Sequence, residues 1–353
     1  MRSDNRISEL QAERQFLLTY AGPLMLWLVP GIYGRTGLLA IGLILLLLGG
    51  WVFLLHRQLH VYRCPQKYWS KGIRVFLLVG YESYLLITGG WIAIQAGKII
   101  REYMIQGISV PLASGIFILA ALGSSTSAKT RGIFAQAVWP VIGTVFLLFL
   151  LAAALQGNPQ GGNVKEIYCE TGSIYEKFGK QMSWLAVMFV GIFFLPFLEI
   201  ESKTDRGQFP CFLKALGKIG LWMAGLCVLI FRAFGSAVPE QGVLPILNLM
   251  AGVKIPGGFI RRVDLIFLSL VLFCLLFSMG SILFYSRHIL GASVVGRIPA
   301  AILIFLLSTL EWGPWSLQKE YPSLVLYIFL PFFLAVTAAN AIVRRRKYER
   351  VSK

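Results

Sequence analysis

The sequence predicts an all-α polytopic membrane protein with ten transmembrane helices, and three observations predict it. Ten apolar runs, each about the length of a bilayer crossing, fill most of the 353 residues. The composition is 57% hydrophobic and 14% charged, with a mean hydropathy of +0.71 that a water-soluble globule does not tolerate. The longest polar gaps are about 25 residues, too short for a soluble domain, so residues 1–353 read as a single membrane domain.

The first span, Gln15–Pro30, is QFLLTYAGPLMLWLVP, interrupted in its middle by Ala21-Gly22-Pro23. Proline removes a helical donor and crowds the preceding turn, and glycine adds backbone freedom. In hydrocarbon, freed backbone groups must find partners inside the protein or line a cavity, so a broken helix at membrane depth is a candidate binding site. The second span is Thr36–Leu55 and the third is Ile73–Ala96, which carries Glu82. The fourth, Ile108–Leu122, is short, and the fifth is Phe134–Leu155. Span six, Met182–Ile200, contains Gly191 and Pro196. Span seven is Phe212–Gly235, span eight Val263–Leu290, span nine the short Gly296–Trp312, and span ten Pro322–Val343.

Divided five and five, the chain has halves at 15–155 and 182–343, opened by spans one and six. Gly/Pro-interrupted segments at corresponding positions of two halves point to an inverted-repeat transporter site. Half-helix ends there would offer dipole charge and free N–H and C=O groups to a zwitterionic or anionic ligand. The expected small-molecule site therefore comprises Ala21, Gly22, Pro23 and Gly191, with Glu82 and Ser278 nearby. Against this stands the frequency of proline kinks in membrane helices, illustrated here by Pro111, Pro140, Pro299 and Pro331.

Glu82 is the clearest ionisable residue deep in a span. A carboxylate there is costly unless paired, protonated or hydrated, so it reads as functional: a proton carrier or a holder of a ligand ammonium. The bland alternative is a bond to neighbouring Tyr or Ser groups. Arg232, near one end of span seven, reads as a snorkelling side chain.

With the N-terminus cytoplasmic, that side collects 22 of the 33 Lys and Arg residues, the opposite side ten, and Arg232 lies within a span. The bias predicts a multi-pass membrane protein with both termini inside. Of five cysteines only Cys169 faces outside, so no intramolecular disulfide is expected. His56, His60 and His288 lie at span edges and read as interfacial rather than metal-binding, so neither metal nor cofactor is expected.

The net charge of +17 does not indicate nucleic acid, because the basic residues lie between apolar runs without interleaved aromatics. The tail Arg344-Arg345-Arg346-Lys347 suits anionic membrane lipid and orientation alike. No Walker loop, HExxH or nucleophile elbow occurs, so the chain does not read as an enzyme. The polar Met1–Arg14 lead and the Gly22-Pro23 interruption argue against a signal peptide.

Three stretches resemble the spore germination permease family, the B subunits of nutrient germinant receptors within the amino acid–polyamine–organocation superfamily. The first is Ile7-Ser8-Glu9-Leu10-Gln11 running through Gln15-Phe16-Leu17-Leu18 and Gly22 to Leu28-Val29-Pro30. The second is Ala128-Lys129-Thr130-Arg131 through Trp139-Pro140, and the third is Phe259-Ile260-Arg261-Arg262-Val263-Asp264. Pro23 and Gly132 depart from the family pattern, which marks a divergent member. The resemblance implies a five-plus-five inverted repeat of the leucine-transporter type. It also implies a receptor subunit that senses a small nutrient, commonly an amino acid, in the spore inner membrane beside other germinant receptor subunits. The competing expectations are a proton- or sodium-coupled transporter of an amino acid or amine, with Glu82 as its coupling group, and a ligand-free membrane scaffold.

Overall fold

The computed structural model describes residues 7–27, 34–63, 66, 68–123, 127–155, 174–188, 208–234, 249–250, 263–290, 297–312 and 315–351. The first half contributes α1 (Glu9–Trp27), α2 (Gly34–Arg63), α3 (Lys71–Ile99), α4 (Val110–Leu122) and α5 (Ala128–Leu155). A π-helical turn, Ile100–Met104, prolongs α3. The second half contributes α6 (Ile174–Met188), α7 (Gln208–Phe234), α8 (Val263–Leu290) and α9 (Arg297–Thr309). A two-residue hairpin pairs Glu311 with Ser316 and Trp312 with Trp315. Beyond it, α10 (Leu317–Leu324), a π-helical turn (Val325–Phe329) and α11 (Leu330–Val351) follow without interruption.

Local chemistry sets several helix starts. Ser8 and Gln11 form a capping box: the Gln11 N–H donates to Ser8 Oγ at 3.3 Å, and the Ser8 N–H donates to Gln11 Oε1 at 3.0 Å. Helix α1 thus begins six residues before the apolar run that betrayed it. Ser109 caps α4, accepting the Leu112 N–H at 3.4 Å with Pro111 in the first turn. Ser127 accepts from Thr130 N at 3.5 Å at the head of α5. That cap moves the start of the fifth helix from the expected Phe134 back to Ala128, so Arg131 lies inside the helix and not in a loop.

Among the described residues, six helices are long and apolar enough to cross a membrane: Arg35–Leu59, Lys71–Met104, Ala128–Leu155, Pro210–Arg232, Asp264–Ile289 and Leu317–Arg345. The expectation of ten spanning helices is met only to that extent. Helices α4 and α9 have 13 residues each, about 20 Å at 1.5 Å per residue, which is short of a hydrocarbon core of about 30 Å. Leu46, Leu155 and Leu221 are 76%, 85% and 78% exposed, a surface suited to hydrocarbon rather than water.

Helix α8 is the hub. Its apolar window is 61% buried, against 22% for α5. It packs on α1, α3, α4, α5 and α9, while α2 packs on α6, α7 and α11. Further contacts join α1 to α5, α6 and α7, α3 to α4, α9 and α10, α4 to α9, and α5 to α7. Helix α6 reaches the second π turn. Above that turn α10 buries Leu317 and Tyr321; below it α11 buries Phe333, Thr337 and Asn340.

Candidate functional site

The expected interruption at Ala21-Gly22-Pro23 is not a break in the helix. Helix α1 runs through all three residues, with Pro23 inside it. The reason lies across the bundle. Proline at 23 leaves the Thr19 carbonyl without its donor, and the Ser278 hydroxyl of α8 donates to that oxygen at 2.5 Å. A serine from a neighbouring helix thereby supplies the bond that proline removes, and the helix continues. The same hydroxyl reaches Cys274 O at 2.9 Å.

Gly22 serves the same junction. A Cβ there would stand 2.6 Å from Leu275 N and 2.8 Å from the Cys274 carbonyl carbon, so only glycine lets α1 and α8 approach this closely. Ala21 is 2% exposed beside it. Ala21, Gly22, Pro23 and Ser278 are thus brought together as a helix junction. Gly191, the fifth backbone position expected at the site, lies outside the described residues.

A polar layer sits one to two turns from this junction, toward the end of α8. Arg131 of α5 is 2% exposed. Its guanidinium donates to Phe277 O at 3.0 Å and to Ser281 Oγ, and lies 4.4 Å from the centre of the Phe277 ring. Ser281 Oγ is 3.2 Å from Thr19 Oγ1 of α1. Gln15, one turn earlier on α1, donates to the Tyr285 hydroxyl at 3.5 Å. On the α3 side, Ser286 donates to Glu82 Oε1. The C-terminal half of α8 therefore presents hydroxyls to three helices in turn: Ser278 and Ser281 to α1, Ser281 also to α5, and Ser286 to α3.

Three polar atoms of this layer are buried without a partner: Gln15 Oε1, Glu82 Oε2 and Arg131 Nε. Two are acceptors and one is a donor. Among the described residues no carboxylate lies within ion-pair distance of Arg131, the two ion pairs being Glu13–Lys218 and Glu176–Lys180. A permanent cation, a half-paired carboxylate and an amide oxygen in a low-dielectric interior suit a small ligand that carries both charges. No three His, Cys, Asp or Glu side chains cluster for a metal among the described residues.

Of the expected site residues, Glu82 and Ser278 belong to or border this layer. Arg131, Gln15, Thr19, Ser281 and Tyr285 were not anticipated. One signal was available for Arg131. Ala128, Gly132 and Ala135 form a small-residue stripe on the face that carries Arg131, and Gly132 would press a Cβ to 3.1 Å from Gln11. Such a stripe marks a helix contact, and a charge within it must be buried. Compared with known proteins, the chain matches no family model and no curated sequence at a significant level.

Proposed function

We propose that the chain is a ten-span, five-plus-five membrane protein that binds a small nutrient of the amino acid class and serves as the membrane subunit of a nutrient germinant receptor. The contact pattern among helices carries the architectural part. Exchange each helix of the first half with its counterpart five places later, taking α10–α11 as the tenth. The contacts α2–α7, α3–α8, α4–α9 and α1–α6 then map onto themselves. The contact α1–α7 maps onto α2–α6, α3–α9 onto α4–α8, and α3–α4 onto α8–α9. Likewise α5–α7 maps onto α2–α11, and α5–α8 onto α3–α10. The image of α1–α5 is α6 against the second π turn, whereas α1–α8 has no image of comparable extent among the described residues. Five spans per half make the two halves run in opposite directions, so this exchange supports an inverted repeat.

The polar layer supports the ligand class. An α-amino acid offers a carboxylate to Arg131 and an ammonium to Glu82 and Gln15, the groups with unpartnered atoms. The sensing role rests on the resemblance of residues 7–30, 128–140 and 259–264 to spore germination permeases. A coupled transporter is the second reading, favoured by the unpartnered Glu82 oxygen in a spanning helix.

Thermal unfolding of the purified chain against a panel of amino acids and amines tests the ligand class, and uptake into proteoliposomes separates the roles. Stabilisation by an amino acid without accumulation under a proton or sodium gradient is the expected result. Gradient-driven uptake that Glu82→Gln abolishes establishes the transporter instead. If no amino acid or amine shifts the unfolding temperature, the ligand class is wrong.

A further inference from the structure

The geometry points to a second site, unrelated to the polar layer: a pocket for the headgroup of an anionic phospholipid at the membrane edge between α2, α3 and α11. A cavity of about 380 Å³, within the range of small-molecule sites, opens where α2 ends and α3 begins. Lys71 and Arg74 stand at its α3 rim, with Val75 and Leu78 continuing along the same helix. Tyr62 of α2, Trp69 of the connecting segment and Asn340 of α11 complete it.

Its construction is fixed rather than incidental. Trp69 Nε1 donates to Asn340 Oδ1 at 3.0 Å, and Asn340 is 2% exposed, so the indole is held against α11. Tyr62 and Tyr81 meet edge-to-face at 6.5 Å, and Tyr81 packs on Phe333 at 5.0 Å. The rim and wall differ in chemistry. Two cations occupy the rim, neither with a carboxylate within ion-pair distance among the described residues, and Arg74 Nε is buried without a partner. The wall is apolar, and it runs out to Val75 and Leu78, which are 51% and 43% exposed.

That combination selects its occupant. A soluble anion would gain nothing from an apolar wall that leads into hydrocarbon, and a neutral lipid would leave two cations unpaired. A phosphate diester with acyl chains and no cationic headgroup uses both: its net negative charge meets Lys71 and Arg74, and its chains lie along Val75 and Leu78. Basic pockets between membrane helices bind such headgroups, and interfacial Trp and Tyr belong at that depth.

The test is binding of a short-chain phosphatidylglycerol to the full chain in detergent, beside phosphatidylcholine of the same chains and inorganic phosphate. Saturable binding of the anionic lipid alone is expected. Each basic residue near the surface contributes roughly fivefold in affinity, so Lys71→Gln with Arg74→Gln should weaken it about thirtyfold. The same charge removed elsewhere, by Lys129→Gln with Lys214→Gln, should leave it within about twofold. A second variant keeps both charges: Leu78→Trp fills the wall and should also abolish binding. Equal affinity for phosphatidylcholine, binding by inorganic phosphate at the same strength, or undiminished binding by Lys71→Gln with Arg74→Gln overturns the proposal.

Discussion

The two halves of α8 hold the bundle by different means. From Val263 to Cys274 the helix is seated by shape: Phe267, fully buried, meets Phe146 at 5.1 Å and Phe149 at 6.4 Å. From Leu275 onward it is seated by donors and acceptors: Ser278, Ser281, Tyr285 and Ser286 each bond a different element or a different residue of α1. Dispersion contacts are many, weak and non-directional, so they fix position only collectively. Hydrogen bonds in hydrocarbon are few and directional, and in measured cases worth about 0.6 kcal/mol each with a maximum near 1.7. The aromatic half is therefore the stabilising anchor, and the hydroxyl half sets the rotation of α8 against its neighbours.

The contrast can be broken at four points. Gly22→Leu should have the largest effect, because its side chain would have to enter the backbone of Cys274 and Leu275. Monodisperse protein should no longer be recovered from the membrane. This substitution consequently reports on the α1–α8 junction and not on ligand contact. Phe267→Ala should follow, lowering stability by about 3–5 kcal/mol in reversible unfolding, the usual loss for a buried phenyl ring.

Ser278→Ala should cost less, about 1 kcal/mol, by leaving the Thr19 carbonyl unpaired. Its signature is non-additivity. In a Pro23→Ala background the helix regains its own donor to Thr19, and Ser278→Ala should then be nearly neutral. Equal losses in both backgrounds would show that Ser278 does not serve that carbonyl. Glu82→Gln should have the smallest effect on stability, below about 0.5 kcal/mol, since the amide oxygen still accepts from Ser286. Its consequence should be confined to ligand response.

The same contrast explains what the sequence discloses. Apolar length is a local property, so Val263–Leu290 coincides with α8 at both ends. The expected Thr36–Leu55 and Ile73–Ala96 likewise fall inside α2 and α3. The proline-bearing stretch of α1 misled, because its repair comes from Ser278, 259 positions beyond Thr19, and leaves no local trace. Arg131 escaped for a related reason. A charge beside an apolar run reads as a loop residue until the Ser127 cap places it inside the helix, and its partners Phe277 and Ser281 are 146 and 150 positions away. Glu82 was legible as a carboxylate set among helices, since a charge within an apolar run needs no partner to be conspicuous.

The π turn at Val325–Phe329 carries a consequence for how the chain tolerates insertion and deletion. A π turn accommodates one residue more than an α turn, and one residue corresponds to about 100° of helical rotation. Tyr321 stacks on Trp91 at 4.9 Å above the turn, and Trp51 donates to Thr337 at 3.3 Å below it. Loss of a single codon between positions 325 and 329 would straighten the helix and swing Phe333, Thr337 and Asn340 about 100° away from α2 and α3. The extra residue is a spacer that lets one continuous helix serve two neighbours facing different ways.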